Sequence, residues 1–185
     1  MDDPEDSELV RRTLAGDRRA FDALVRRHQR NVYRIAHGIL RSASDAEDAV
    51  QEVFFRAFRY LPSFDPARSF EGWLMAIAVN QARGLRQGRR GEAAPLDPTG
   101  PAYAQSAAPR TEDRGHREIQ EAALEALAGL PDRQRDAMLL FLNSDLTLDE
   151  IGAALGCSKG TVGVHLHRAR IALRRALGRW ARPTP

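Results

Sequence analysis

Asp45, Asp48 and Glu52 fall at i, i+3 and i+7, with Glu47 and Gln51 beside them. On a helix that spacing gathers carboxylates on one face. Asp45, Glu47 and Asp48 also complement a helix dipole, but Glu52 lies beyond the first turn, where dipole effects have faded. The pattern therefore suits a surface that docks a basic partner. Arg83, Arg86 and Arg90 repeat the spacing in positive charge, with Arg89 adjacent. A third group follows the turn Gly156-Cys157-Ser158: Lys159, Thr161, Gly163, Val164, His165 and His167, then Arg168 and Arg170. Guanidinium groups bind phosphate bidentately and stack on planar rings, so both basic groups suit a polyanion.

Bond-making chemistry finds no comparable support. A carboxylate–histidine metal site in a helical bundle needs inward Glu-x-x-His pairs, and the nearest pair, Glu112 and His116, has the wrong spacing. His165 and His167 are two apart and do not share a helix face. No Gly-rich phosphate loop or nucleophile motif occurs. A single cysteine, Cys157, rules out an internal disulfide and a cysteine zinc cluster. The expectation is a protein that is not an enzyme, with no cofactor, no metal and no small-molecule substrate.

The elements that hold these groups read as helices throughout. Ala, Leu and Arg abound, while aromatics make up only 6% of the chain and β-branched runs are scarce. A short helix is expected around Glu8–Leu14, ended by Gly16. A long one follows over 17–40, with Phe21, Leu24, Val25, His28, Val32, Ile35, Ile39 and Leu40 near a 3.6-residue period. Ser44 and Glu47 have capping-box spacing at the start of a helix running to about Tyr60. Pro62 and Pro66 then break the chain. Ser69 caps a third long helix bearing Phe70, Trp73, Leu74 and Ile77. Further helices are expected over His116–Leu130, from Pro131 through Leu142, from the capping box Thr147–Glu150 to Gly156, and from Ser158 onward. The last two, joined by a tight glycine turn, form a helix-turn-helix whose second helix can enter a DNA major groove.

Residues 91–109 hold four Pro, two Gly and six Ala with almost no large apolar side chain, which reads as a flexible linker. The fold expected is all-α: two small helical domains, 1–90 and 115–180, joined by a linker over 91–114 and followed by a tail over 181–185. The 27 Arg against one Lys, Lys159, leave a net charge of only +3. Distribution says more, because Gly72–Gly91 and Lys159–Pro185 are both free of acidic residues. Two basic segments imply two contacts with nucleic acid. The acidic N-terminus and short apolar stretches point to a cytoplasmic protein without direct membrane insertion.

Two sets of segments resemble one known family. Asp45-Ala-Glu-Asp-Ala-Val-Gln-Glu-Val-Phe-Phe-Arg-Ala-Phe, followed by Phe70-Glu-Gly-Trp-Leu-Met-Ala-Ile-Ala-Val-Asn80, resembles region 2 of extracytoplasmic-function (ECF) RNA polymerase sigma factors. Leu130-Pro131-Asp-Arg-Gln-Arg, Leu148-Asp-Glu-Ile-Gly and Leu166-His-Arg-Ala-Arg170 resemble their region 4. The resemblance implies an initiation factor whose partners are core RNA polymerase, through its beta-prime and beta subunits, promoter DNA and an anti-sigma factor. It assigns polymerase binding to Asp45, Asp48, Gln51, Glu52 and Phe55. The −10 element, as single-stranded DNA, falls to the loop Pro62–Arg68 and the helix after it: Arg68, Trp73, Asn80, Arg83, Arg86 and Arg90. The −35 element, as duplex, falls to Lys159, Thr161, Val164, His165, His167, Arg168 and Arg170. The chain departs from the usual pattern at Gly163-Val164-His165, where many members carry Lys-Ser-Arg, and at Val79 and Gly84, where an arginine and an aspartate are usual. The competing reading is a stand-alone helix-turn-helix transcriptional regulator, which leaves the acidic face and the Arg83 group without a role.

Overall fold

The computed structural model describes residues 5–88 and 114–178. Helix follows helix, with no strand among the described residues. In order they are α1 (Asp6–Leu14), α2 (Arg18–Leu40), α3 (Ala43–Tyr60), a 3-10 turn (Leu61–Ser63), α4 (Phe70–Gly88), α5 (Arg114–Ala128), α6 (Asp132–Asn143), α7 (Leu148–Leu155) and α8 (Lys159–Leu177). Arg89, Arg90, residues 91–113 of the expected linker and the expected tail lie outside the described residues, while Arg114, the last residue of that linker, opens α5.

Local signals place most of the boundaries. Asp17 caps α2 by accepting from the Arg19 N–H at 3.0 Å, and Ser69 accepts from the Gly72 N–H at 3.1 Å to open α4. Thr147 and Glu150 form the expected reciprocal box at α7. Gly156, with φ 66°, ends that helix in the left-handed region open to glycine. One cap differs from the sequence reading. Helix α3 begins at Ala43, so Ser42 is its cap, accepting from the Asp45 N–H at 3.4 Å, and Ser44 lies inside the first turn. Two serines two residues apart compete for this role, and the extended backbone at Ser42 decides it.

The first four helices pack around α2, whose Leu24, Val32, Ile35 and Ile39 are buried with Val53, Phe54 and Ala57 of α3 and Leu74, Met75 and Val79 of α4. His28, read from the sequence as part of this apolar stripe, is buried, and its Nε2 lies 2.7 Å from Asp6 Oδ2. That contact, with Arg27 donating to Asp6 Oδ1 at 2.6 Å, fastens α1 to α2. The last four helices gather Leu127, Leu130, Leu140, Ile151, Leu155, Val162, Leu166 and Ala169.

These two sets share one continuous apolar cluster. Helix α6 lies on α2, and α7 lies on α4. A Cβ added at Gly38 would come within 2.5 Å of Leu139 Cδ2, so the missing side chain is what lets α6 approach α2. Beside it, Leu146 packs at Gly72 of α4.

Candidate functional site

The acidic face forms as the spacing predicts. Asp45, Asp48, Glu52 and Phe55 follow one stripe of α3, opposite the buried Ala46, Ala49, Val53 and Ala57. Asp48, Gln51 and Phe55 are exposed, and Phe55 is 62% exposed. Arg56 pairs with Glu52 one turn on. Surface ion pairs of this kind contribute little, so Glu52 stays available to a stronger cation. A large bare aromatic among carboxylates is unusual on a free surface and suits a protein contact.

Around the second face, Phe64 and Phe70 pack against Trp73 with ring centroids 5.1 and 5.8 Å away. This aromatic cluster supports the loop 62–68 on the start of α4. Trp73 is thus partly committed to packing, while Asn80, seven residues on and on the same face, is exposed. Arg68 is exposed and lines a cavity of about 290 Å³ together with Glu5, Asp6, Pro66 and Glu71. Burial pushes the Glu71 carboxyl above the usual range, although His28 and Asn31 pull it down.

Arg83 and Arg86 point elsewhere. The Arg83 Nε donates to Asp136 Oδ2 at 2.6 Å, and its Nη2 lies 2.6 Å from the same oxygen. Arg86 Nη2 donates to Asp132 Oδ1 at 2.9 Å. Asp132 also accepts from Arg135, which is buried. Sequence reading missed this network. Asp132 and Asp136 at i, i+4 look like ordinary first-turn carboxylates, and their partners lie about 50 residues upstream in another helix.

The helix-turn-helix is tightly made. A Cβ on Gly152 of α7 would lie 2.7 Å from the Cys157 carbonyl oxygen, so the turn closes directly on the helix. Arg133 of α6 donates to the Leu155 carbonyl at 2.7 Å, tying the C-terminal end of α7. Ser158 caps α8, accepting from the Thr161 N–H at 3.3 Å. Val162, Leu166 and Ala169 face inward. Thr161, Val164 and Arg168, at i, i+3 and i+7, line the opposite face and are all exposed, as is His167 beside them, while His165 is half-buried. Two of the expected contacts are placed differently. Lys159 Nζ donates to Asp149 Oδ2 at 2.7 Å, at the surface. Arg170 sits about 200° around the helix from Arg168, with its guanidinium 5.1 Å above the Phe141 ring. Phe141 and Leu142, near the end of α6, are 41% and 57% exposed. Arg175, seven residues beyond Arg168, continues the exposed stripe and was not singled out from the sequence.

Among the described residues no cluster of His, Cys, Asp and Glu could hold a metal ion, and no helix is long and apolar enough to cross a membrane.

Comparison with known proteins converges on one family. Residues 24–91 match the family Sigma-70 region 2, and residues 120–173 match Sigma-70, region 4. The ECF RNA polymerase sigma factor SigM of Mycobacterium tuberculosis is 35% identical over 173 residues, covering 94% of this chain and 85% of the relative. The ECF RNA polymerase sigma-E factor of Escherichia coli is 33% identical over 177 residues, covering 91% and 92%. Among solved structures, CnrH in complex with the cytosolic domain of CnrY superposes with a TM-score of 0.73 at 26% identity, over 94% of this chain and 97% of CnrH. The acidic stripe and the helix-turn-helix lie on a chain that matches these relatives over more than nine-tenths of its length. The chain belongs to the ECF RNA polymerase sigma factors, non-catalytic subunits that direct transcription initiation at promoters.

Proposed function

We propose a division of labour among the three faces. The α3 stripe Asp45–Asp48–Glu52, with Gln51 and Phe55, docks a basic surface of core polymerase. The loop 62–68 and the Trp73–Asn80 face of α4, with Arg68, Arg83, Arg86 and Arg90, hold the −10 element as a single strand. The Thr161–Val164–Arg168 stripe of α8, flanked by Lys159, His165, His167 and Arg170, lies in the major groove of the −35 element. On this reading the first domain spans residues 1–90, the linker 91–114 and the second domain 115–180. Single-strand capture works through backbone charges and ring stacking, and duplex reading through a helix seated in the groove. Such work on promoter DNA sets the protein in the cytoplasm. A regulatory protein partner, an anti-sigma factor, is part of the proposal, because CnrH was solved bound to the cytosolic domain of CnrY.

The observation that carries the docking assignment is Phe55, 62% exposed within the acidic stripe. Replacing Asp48 and Glu52 together by Lys tests it. Both side chains lie on the outer side of α3, so the helix should survive. Loss of core-polymerase binding with unchanged circular dichroism is expected, by at least about tenfold per reversed contact. Full polymerase affinity in the reversed variant would move the docking face elsewhere.

A further inference from the structure

Helix α2 carries six arginines and a single acidic residue, Asp22. Arg19, Arg26, Arg30 and Arg34, at i, i+7, i+11 and i+15, share one face and are all exposed, opposite the buried Leu24, His28, Val32 and Ile39. The last three arginines stand one turn apart, about 6 Å along the axis, and the whole stripe is roughly 22 Å long. Arginines elsewhere reach carboxylates: Arg12 pairs with Asp17, Arg27 with Asp6, Arg83 with Asp136 and Arg86 with Asp132. Among the described residues no ion pair engages the four of this stripe.

Like charges at i, i+4 weaken a helix, whereas paired charges of opposite sign strengthen it. A merely solvated face has no use for one sign repeated on three successive turns. Rings lie along the same face. Tyr33 and His37 stack one turn apart, with centroids 5.7 Å away and planes 13° from parallel. Tyr33 packs on the small cluster Ala36, Ala46 and Ala49, as does Leu85 of α4, which brings the stack next to the C-terminal part of α4. Burial, with Arg41 nearby, lowers the His37 pKa, so its imidazole offers an uncharged ring at neutral pH. Cations that track a backbone, beside rings that accept bases, suit a single nucleic-acid strand. The acidic α3 stripe takes a basic partner, so the same partner surface cannot also cover α2.

The geometry points to a second DNA path: the Arg26–Arg30–Arg34 stripe, with the Tyr33–His37 stack, binds the single DNA strand where it continues beyond α4. This path rests on the proposed capture of the −10 strand by α4 only for the source of the strand.

In the full chain, Arg26→Gln, Arg30→Gln and Arg34→Gln together remove the stripe. All three side chains leave the outer side of α2, so circular dichroism should be unchanged. Fluorescence anisotropy with a labelled oligothymidylate, taken over a salt series, reads the effect. Affinity should fall about tenfold at low salt and the log–log salt slope by about 2, three phosphate contacts at about 0.7 each. Tyr33→Leu keeps an apolar side chain on the alanines but removes the ring, and should weaken binding about fivefold at an unchanged slope. A duplex of the same length, whose bases are stacked away from the rings, should not respond to Tyr33→Leu. Asn80→Ala gauges the α4 assignment separately. Loss in Asn80→Ala, with parent affinity and slope in a folded triple variant, would overturn the α2 path and leave the −10 assignment standing. Loss in the triple variant alone would keep the α2 path and refute the α4 assignment. Tyr33→Leu without effect, or polyglutamate displacing the probe as well as unlabelled oligothymidylate does, would reduce the stripe to an indiscriminate basic surface and overturn the path. Absence of oligothymidylate binding by the parent chain at low salt would overturn it outright.

Discussion

Gly152 and Gly163 are both helical glycines of the helix-turn-helix, yet alanine should have opposite effects at the two positions. At Gly152 the new methyl group would sit 2.7 Å from the Cys157 carbonyl oxygen and 3.5 Å from the Lys159 nitrogen and the Ser158 carbonyl carbon. A comfortable carbon–oxygen approach is about 3.3 Å or more, so the turn must retreat by roughly 0.6 Å. The obstacle is backbone, which cannot swing aside as a side chain could. Overpacking of this kind costs about 1–3 kcal/mol, against which alanine's better helix propensity returns up to about 1 kcal/mol. Gly152→Ala should therefore destabilise by about 1–2 kcal/mol and tilt α8 against α7. At Gly163 a Cβ meets nothing within 4 Å, so only the propensity term remains. Gly163→Ala should stabilise by about 0.5–1 kcal/mol. Urea denaturation followed by circular dichroism measures both, and −35 duplex binding by the holoenzyme measures the tilt. A Gly152→Ala chain as stable as the parent, with unchanged duplex affinity, would refute the close-packed turn. Loss of stability in Gly163→Ala would refute the open environment of that position.

Arg168→Gln should reduce the slope of log affinity against log salt for the −35 duplex by about 0.9, the loss of one phosphate contact. Arg170→Gln should change the slope far less, because its guanidinium lies over Phe141; equal slopes for the two variants would show that both reach the backbone. Burial alone would raise the Asp6 carboxyl, but His28 and Arg27 prevail and hold it below its ordinary value. A depressed acid contributes stability that is complete above its ordinary value and lost as pH falls through the lowered one. The stability difference between the parent and Asp6→Asn should therefore shrink on acidification through that range, in a pH series of urea unfolding curves. A difference independent of pH would remove the Asp6 charge from the attachment of α1.

The sequence by itself determined the helices, because caps, breakers and the 3.6-residue period act within a few residues. Thr147 and Glu150, Gly156, Ser158 and Ser69 each sit where local hydrogen bonding or backbone freedom requires them. It determined the acidic stripe of α3 and the inward and outward faces of α8 for the same reason: one helix fixes the angles between its own residues. Even locally there was ambiguity, since Ser42 and Ser44 could each have capped α3, and backbone extension at Ser42 chose between them. Only the tertiary structure decided which charges are already engaged. Arg83 and Arg86 look like a free basic stripe until α6, about 50 residues downstream, brings Asp136 and Asp132 to them. Arg170 looks equivalent to Arg168 until Phe141 lies beneath it. His28 looks like one more residue of an apolar stripe until Asp6 of another helix reaches it. Helical periodicity says which way a side chain leaves its helix. What waits there depends on how helices pack across the chain, here on the bare backbone at Gly38 that lets α6 settle against α2.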